Sequence, residues 1–189
     1  AMAMDSMKTA VANLADLLDR QLAQLVDVKF NKGLPGNLTG AQGARRAINH
    51  GFKALQIGAS AWTAEALKLT LPASIFSRST ECHNQDKVSM GTIAARDCLR
   101  VLQLTEQVAA AALLAATQGV EQRLALEGAT SARLAASLQQ SLCQVRAISP
   151  PLVEDRALEA ELRQLIATIQ EGRWPLYRQD EAVTAGERA

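Results

Sequence analysis

The chain has 189 residues, 48% hydrophobic and only 3% aromatic, so it is long enough to bury a core made mainly of small aliphatic side chains. Lysine and arginine together number 20, and aspartate and glutamate number 19. The basic residues are scattered rather than interleaved with aromatic residues, which argues against nucleic acid or an anionic membrane as the main partner.

The first predicted element is a long helix. Its apolar residues recur every three or four positions, which is the spacing of one helix face. They are Met4, Met7, Val11, Leu14, Leu18, Leu22 and Leu25. At about 1.5 Å per residue, the helix would be about 40 Å long. No Ser, Thr, Asp or Asn cap precedes it, so we expect residues upstream of Ala1 in the native protein.

Two further long helices enclose a polar segment. A loop rich in glycine and proline occupies 27–43, and apolar spacing then predicts a second helix over 44–71. Residues 72–91, here called the polar loop, are irregular and begin with a proline. A third helix is predicted over 92–126, and its alanines at 109–112 would let a neighbouring helix approach closely.

Two shorter helices are predicted over 131–147 and 153–171. Glu154 and Asp155 would lie in the first turn of the last helix, where negative charge suits the positive end of the helix dipole. Gly172 is placed to end that helix. Because no segment alternates with the period of a β-strand, the sequence predicts an all-α fold, a bundle of long helices.

Cysteine spacing and apolar run lengths bear on the cellular setting. Cys82, Cys98 and Cys143 form no Cys-x-x-Cys pair, which favours a reducing, cytoplasmic environment. The longest uninterrupted apolar run, 108–116, is far shorter than the roughly 20 residues that cross a bilayer. No charged-then-apolar leader opens the sequence. We expect a cytoplasmic protein without a membrane-spanning segment.

The polar loop concentrates acids, amides and an imidazole between two apolar helices. By composition alone it is a solvated connection. A metal site is disfavoured because Glu81, Cys82 and His83 are consecutive, and neighbours in sequence rarely converge on one ion. A nucleophile formed by Cys82 and His83 lacks an identifiable third group to orient the histidine.

Three blocks of sequence resemble one enzyme family. They are the Gly-Leu-Pro loop at 33–38, the helix beginning Asn-His-Gly-Phe-Lys at 49–57, and the segment containing Asn-Gln-Asp and Val-Ser-Met-Gly at 81–96. In this order they resemble the C-terminal half of the histidine, phenylalanine and tyrosine ammonia-lyases and of the related aromatic aminomutases. The resemblance extends to about Arg123 and implies a helical bundle of the ammonia-lyase (aspartase-like) type, of which this chain is the C-terminal portion.

The resemblance also implies roles for five residues. Glu81 matches a glutamate near the substrate amine, and Asn84 and Gln85 match amides near the prosthetic group and the substrate. Lys53 and Ile57 match residues that line the pocket for the aromatic side chain. The position of Gln85 is typically a glutamate in the histidine branch, so glutamine here favours a phenylalanine- or tyrosine-type substrate. Without the resemblance, Lys53 would be read as a surface residue and Ile57 as core.

The family's prosthetic group, 4-methylideneimidazole-5-one, forms from an Ala-Ser-Gly tripeptide in the N-terminal half. This sequence contains no Ala-Ser-Gly, and its nearest approaches at 58–61 and 72–75 lack the glycine. The only tyrosine, Tyr177, lies outside the matched region and receives no catalytic role. The resemblance therefore implies a partner, the N-terminal half of the same enzyme, in a clipped or split lyase; a degenerate relative is the other explanation.

Four segments follow from this interpretation. They are the C-terminal half of the central bundle (1–126), the active-site loop within it (72–91), accessory helices (127–172) and a tail (173–189). Trp174 and Tyr177 are candidates to anchor the tail. The resemblance implies a homotetramer acting on an aromatic amino acid to give an arylacrylate. The alternatives are an aromatic 2,3-aminomutase, a histidine ammonia-lyase, or a non-catalytic helical scaffold.

Overall fold

The computed structural model describes residues 1–174, and within them the fold is helical, as predicted. The five α-helices are α1 (Met2–Val26), α2 (Lys53–Lys68), α3 (Gly91–Leu126), α4 (Ala136–Ile148) and α5 (Glu159–Gln170). Short 3-10 helices are found in the connections. In the described part of the chain, the only β pairing is an isolated antiparallel bridge between Thr80 and Gln85. The predicted third helix is confirmed almost to the residue.

The core surrounds α3, which packs against both α1 and α2. Its alanine-rich middle lies in the core: Ala110 and Ala111 are fully buried, beside Leu114. Small side chains there allow close helix packing, as the sequence predicted. By length and composition alone α3 resembles a membrane-spanning helix, but core helices share these properties. Here its apolar residues pack against Leu22 of α1 and other members of one cluster.

The predicted apolar stripe of α1 is only partly buried within this chain. Met7 and Leu14 of the apolar stripe are exposed, at 43% and 57%. The buried residues instead are Asp5, Lys8, Ala12, Ala15, Asp19, Leu22 and Val26. The alanines let α1 approach its neighbours closely, and each buried polar side chain has a partner; Asp19, for example, accepts a hydrogen bond from Ser60 Oγ at 2.7 Å. Polar pairing and close packing thus decide which face is buried.

The second helix begins at Lys53, not near residue 44 as predicted. Gly43–Ile48 forms a 3-10 helix, and the chain then turns through Gly51, whose φ is +57°. The Phe52 amide donates to Asn37 O at 2.8 Å, and the amides of His50 and Gly51 donate to the Asp155 carboxylate at 2.7 and 2.8 Å. These long-range hydrogen bonds satisfy amides that a continuous helix would have bonded internally.

The last helix begins at Glu159, so Glu154 and Asp155 are not in its first turn as predicted. Glu154 instead pairs with Arg45 at 2.7 Å, and Asp155 bonds the turn before α2. These partners lie about a hundred residues away, beyond the reach of a local helix-dipole argument. The predicted fourth helix likewise starts late, at Ala136, after a 3-10 turn over Ser131–Arg133.

The end of α5 is as predicted. Gly172 has φ +65°, and its amide donates to Ile169 O at 3.0 Å, the arrangement of a glycine that ends a helix. Trp174 packs against the main apolar cluster, which also contains Val145 and Leu165 of the two short helices. Tyr177, the other candidate anchor, lies outside the described residues.

Candidate active site

Three of the predicted site residues share one tight turn. The amide of Thr80 donates to Gln85 O at 3.0 Å, and the amide of Gln85 donates back to Thr80 O at 3.4 Å. The Thr80 hydroxyl donates to Gln85 Oε1 at 2.8 Å, and the Asn84 amide donates to Glu81 O at 2.9 Å. Residues 80–85, here called the polar turn, therefore carry Glu81, Asn84 and Gln85 within six residues.

The backbone of the polar turn is strained at its tip. Glu81, Cys82 and His83 have φ values of +52°, +52° and +65°. Each such left-handed residue costs about 1–2 kcal/mol for a side chain other than glycine. Residues held in this way cluster at ligand sites, where surrounding structure fixes an otherwise unfavourable conformation.

The side chains of the polar turn are turned outward. Glu81, Asn84 and Gln85 are all exposed in this chain. Within residues 1–174, the Gln85 side chain bonds only through its oxygen, which leaves the NH₂ group as an available donor. His83 Nδ1 lies 2.8 Å from Ser79 Oγ, so this histidine pairs with a serine rather than orienting Cys82. In the described residues no three His, Cys, Asp or Glu side chains converge as metal ligands.

Lys53 and Ile57 lie one turn apart on α2, and both are exposed. They are near the start of α2, whereas the polar loop follows its end, where Glu65 pairs with Arg100 of α3. From its first residue to its last, α2 is about 22 Å long at about 1.5 Å per residue. No hydrogen bond or ion pair of the described residues joins these two side chains to the polar turn.

The start of α2 is held by charged residues that follow α4. The backbone amide of His50 lowers the pKa of Asp155, burial opposes this, and the Gly51 amide lowers the pKa further. The pKa of Asp155 therefore lies below the ordinary aspartate value, and its carboxylate is ionised near neutral pH. The hydrogen bond from Arg45 likewise lowers the pKa of Glu154. Asp155 thus fixes the backbone that leads into Lys53, and Glu154 binds the side chain of Arg45 in the preceding 3-10 helix.

Sequence reasoning missed a buried group at the base of the polar loop. Lys8 of α1 has a fully buried side chain, and its ammonium lies 3.1 Å from Asp5, 3.3 Å from Asp97 and 2.8 Å from Leu71 O. Spacing along the chain shows Asp5 and Lys8 as an ordinary pair on one helix. Nothing local reveals that Asp97, on α3, completes the group.

A family model described as aromatic amino acid lyase matches residues 1–144. The chain belongs to the aromatic amino acid lyase family. The match includes all five predicted site residues and confirms the resemblance inferred from the three sequence blocks. It ends within α4, so α5 and the tail lie outside it.

Two similar members of the aromatic amino acid lyase family are ammonia-lyases. The histidine ammonia-lyase of Caenorhabditis elegans is 38% identical over 173 residues, covering 92% of this chain and 24% of the relative. The tyrosine ammonia-lyase of Cereibacter sphaeroides is 40% identical over 170 residues, covering 87% of this chain and 30% of the relative. The chain therefore spans about a quarter to a third of the length of the curated relatives it matches.

The fold is also that of an aromatic amino acid lyase. The crystal structure of tyrosine aminomutase from Streptomyces globisporus superposes with a TM-score of 0.80 and 29% identity, covering 92% of this chain and 31% of the aminomutase. The prediction of an all-α fold that is part of a larger ammonia-lyase bundle is thereby confirmed. The similar proteins thus include a histidine ammonia-lyase, a tyrosine ammonia-lyase and a tyrosine aminomutase.

Proposed function

We propose that this chain supplies the C-terminal part of an ammonia-lyase that converts L-phenylalanine- or L-tyrosine-type substrates into an arylacrylate and ammonia. The observation that carries the proposal is the polar turn, a strained turn inside the family match that presents Glu81, Asn84 and Gln85 outward. Exposed polar side chains on a fixed backbone are suited to meet a substrate and a prosthetic group contributed by another segment.

We expect the charged and the neutral side chains of the polar turn to have different roles. The Glu81 carboxylate would hold the substrate ammonium and accept a proton during elimination. Asn84 and Gln85 would donate hydrogen bonds without adding charge. α3 begins at Gly91, the last residue of the polar loop, and the positive end of its helix dipole would stabilise negative charge that develops during elimination.

The residues present fit the family's prosthetic group. The available NH₂ of Gln85, and the exposed Asn84 amide beside it, are donors that suit the carbonyl oxygen of an imidazolone. When bound, 4-methylideneimidazole-5-one supplies the electrophile, and it would come from an Ala-Ser-Gly in an N-terminal lyase segment. That segment, joined to this chain or held as a separate polypeptide, is the partner that we propose.

We propose that Lys53 and Ile57 line the pocket for the aromatic ring. Because they lie near one end of α2 and the polar turn follows the other, the complete site requires assembly beyond the contacts within this chain. Exposed apolar side chains, among them Leu14 at 57% and Leu99 at 61%, support a homo-oligomer, with a tetramer as the expected state. A cytoplasmic location is supported by three free thiols.

Two other functions have specific support. The similarity to tyrosine aminomutase supports a 2,3-aminomutase, which returns the ammonia to the β carbon. The similarity to histidine ammonia-lyase supports histidine as the substrate. A non-catalytic scaffold is the alternative from another class, and it requires that the residues of the polar turn be dispensable.

The direct test uses this chain together with the N-terminal lyase segment, as one polypeptide or as a co-purified pair, here called the assembled lyase. Incubation with L-tyrosine, L-phenylalanine and L-histidine should give the arylacrylate absorbance with the first two, with stoichiometric ammonia. A β-amino acid detected by mass spectrometry beside the arylacrylate identifies the aminomutase. An intact complex without product from any of the three amino acids contradicts the proposal and supports the scaffold.

Substitution of Gln85 tests the choice of substrate. In the assembled lyase we expect Gln85→Glu to lower kcat/KM for L-tyrosine by at least tenfold and to raise the L-histidine to L-tyrosine ratio of kcat/KM. The reason is that a carboxylate accepts a hydrogen bond from an imidazole N–H but cannot donate one. Gln103→Glu, which makes the same exchange at an exposed position of α3, is the matched control. An unchanged ratio in Gln85→Glu would show that Gln85 does not read the substrate.

A further inference from the structure

A lysine with no solvent exposure lies under the polar loop. The ammonium of Lys8 donates hydrogen bonds to Leu71 O at 2.8 Å and to Asp97 Oδ2 at 3.3 Å, and it forms an ion pair with Asp5 Oδ1 at 3.1 Å. An ammonium group has three N–H donors and no acceptor, so three oxygen neighbours suit it. The Asp5 side chain is 8% exposed and that of Asp97 is 29% exposed. Asp5, Lys8 and Asp97 are here called the ionic cluster.

Asp5 extends the ionic cluster to the backbone of the polar loop. Its two carboxylate oxygens accept the amides of Ala73 at 3.0 Å and Ser74 at 3.2 Å. Burial raises the pKa of Asp5, but the Ala73 amide, the Lys8 ammonium and the Ser74 amide lower it, and the result is well below the ordinary value. The carboxylate is therefore ionised, and it fixes the first residues of the polar loop from α1.

Asp97 extends the ionic cluster to the other end of the polar loop. It lies six residues after Gly91, the first residue of α3, and therefore within the first two turns of that helix. Lys8 thus connects the entry of the loop, through Leu71 O, with its exit, through Asp97. A further hydrogen bond, from the Val88 amide to Ser77 Oγ at 3.0 Å, closes the loop above the cluster.

Stability alone does not account for this arrangement. Well-packed apolar side chains of similar volume often stabilise a core as well as a buried ion pair, or better. Apolar groups, however, could not bind a carbonyl and two backbone amides in one fixed geometry. A catalytic loop requires that both of its ends be held in defined positions. The ionic cluster holds both ends of the polar loop in this way.

We infer that Asp5, Lys8 and Asp97 are positioning residues, which fix both ends of the polar loop and thereby hold Glu81 and Gln85 where the substrate binds. The inference rests on the proposed function for the role of Glu81 and Gln85, whereas the clamping of the loop does not depend on it. None of the three residues would touch the substrate.

The variants are chosen to separate clamping from folding. Lys8→Met keeps a long side chain but removes the charge. Asp97→Asn, at a half-buried position, weakens the contact between Lys8 and α3 with less risk to folding. Asp97→Glu keeps a carboxylate at that position. Arg100→Met is the matched control, because it removes the exposed ion pair with Glu65 that joins α2 to α3 without touching the polar loop.

Limited trypsin digestion of the assembled lyase measures directly whether the polar loop is held in place. Arg78 and Lys87 are exposed cleavage sites within it. We expect cleavage at these two sites, identified by mass, to be at least tenfold faster in Lys8→Met and Asp97→Asn than in the wild type. Arg100→Met and Asp97→Glu should be cleaved at the wild-type rate. If Lys8→Met does not fold, Asp97→Asn decides.

Kinetics then test positioning. In the two faster-cleaved variants kcat/KM should fall at least tenfold, while kcat at saturating substrate falls less, because bound substrate orders the loop again. Unchanged cleavage overturns the inference, and so does faster cleavage with unchanged kcat/KM. A wild-type assembled lyase without activity contradicts the proposed function instead, and the digestion result still decides whether the cluster clamps the loop.

Discussion

Replacing Glu81 with glutamine should lower kcat of the assembled lyase by about two to four orders of magnitude, the usual contribution of a positioned acid–base group. Glutamine has nearly the shape of glutamate and can still accept a hydrogen bond through one oxygen, but it carries no charge and does not take up a proton at neutral pH. The backbone of the polar turn depends on Thr80 and Gln85, not on the Glu81 side chain, so the turn itself should persist.

The control for this substitution is Glu159→Gln. Glu159 is an exposed carboxylate on α5, outside the family match, and its ion pair with Arg163 is fully at the surface. Exposed pairs of this kind contribute little to stability, so both kcat and the unfolding midpoint should be unchanged. Initial rates of arylacrylate formation measure both variants. A kcat for Glu81→Gln within twofold of the wild type would show that Glu81 does not exchange a proton in the reaction.

The parts of the fold that the sequence predicted are those governed by local rules. Apolar spacing placed α3 correctly because a long helix that is buried along one side repeats its pattern many times. Gly172 was recognised because ending a helix in the left-handed conformation needs only that residue and its neighbours. The resemblance singled out Asn84 and Gln85 because they belong to a motif that can be recognised from the sequence alone.

What could not be predicted depends on residues distant in sequence. The start of α2 is set by Asp155, which lies more than a hundred residues after His50. Apolar spacing over 44–71 contains no sign of this contact, so it predicted one helix where the chain turns. The buried face of α1 is set by the partners of Asp5 and Lys8, which lie on other elements. The buried face of α1 includes charged residues, so it is less hydrophobic than the stripe that contains Leu14. A search for apolar spacing therefore finds the stripe and not the buried face.

The partial exposure of the apolar stripe on α1 has a consequence for assembly. The stripe that includes Met7 and Leu14 is apolar enough to be read as a buried face, yet it is exposed in this chain. The buried face carries alanines and ion pairs. Both observations agree if the helix has two contact surfaces, one for α2 and α3 and one for the remainder of the lyase. The second surface supports the proposal that the chain works only in a larger assembly.

Gly51 is where we expect a single methyl group to have the largest effect on folding. Its φ is +57°, and an added Cβ would lie 2.4 Å from Asn37 O and 2.9 Å from Thr39 N. Both are backbone atoms of a loop that is itself held by Gln118 and Gln122, so they cannot move away easily. Gly51→Ala should therefore displace the start of α2.

Gly43→Ala isolates the effect of this overlap. Gly43 has nearly the same φ, +54°, but nothing lies within 4 Å of its added Cβ. Both variants carry the strain of alanine in the left-handed region, about 1–2 kcal/mol. Gly51→Ala adds the overlap, about 1–3 kcal/mol more, by analogy with overpacked cores. Urea unfolding followed by circular dichroism measures the free energy of unfolding of each.

The expected order of stability is wild type, then Gly43→Ala, then Gly51→Ala. Because Lys53 follows Gly51 by two residues, Gly51→Ala should also raise KM for the aromatic substrate in the assembled lyase, whereas Gly43→Ala should not. Equal free energies of unfolding for the two variants would mean that the hydrogen bond from the Phe52 amide to Asn37 O, at 2.8 Å, does not hold the backbone there. The start of α2 would then be set by Asp155 alone, and substitution of that residue should reproduce the rise in KM.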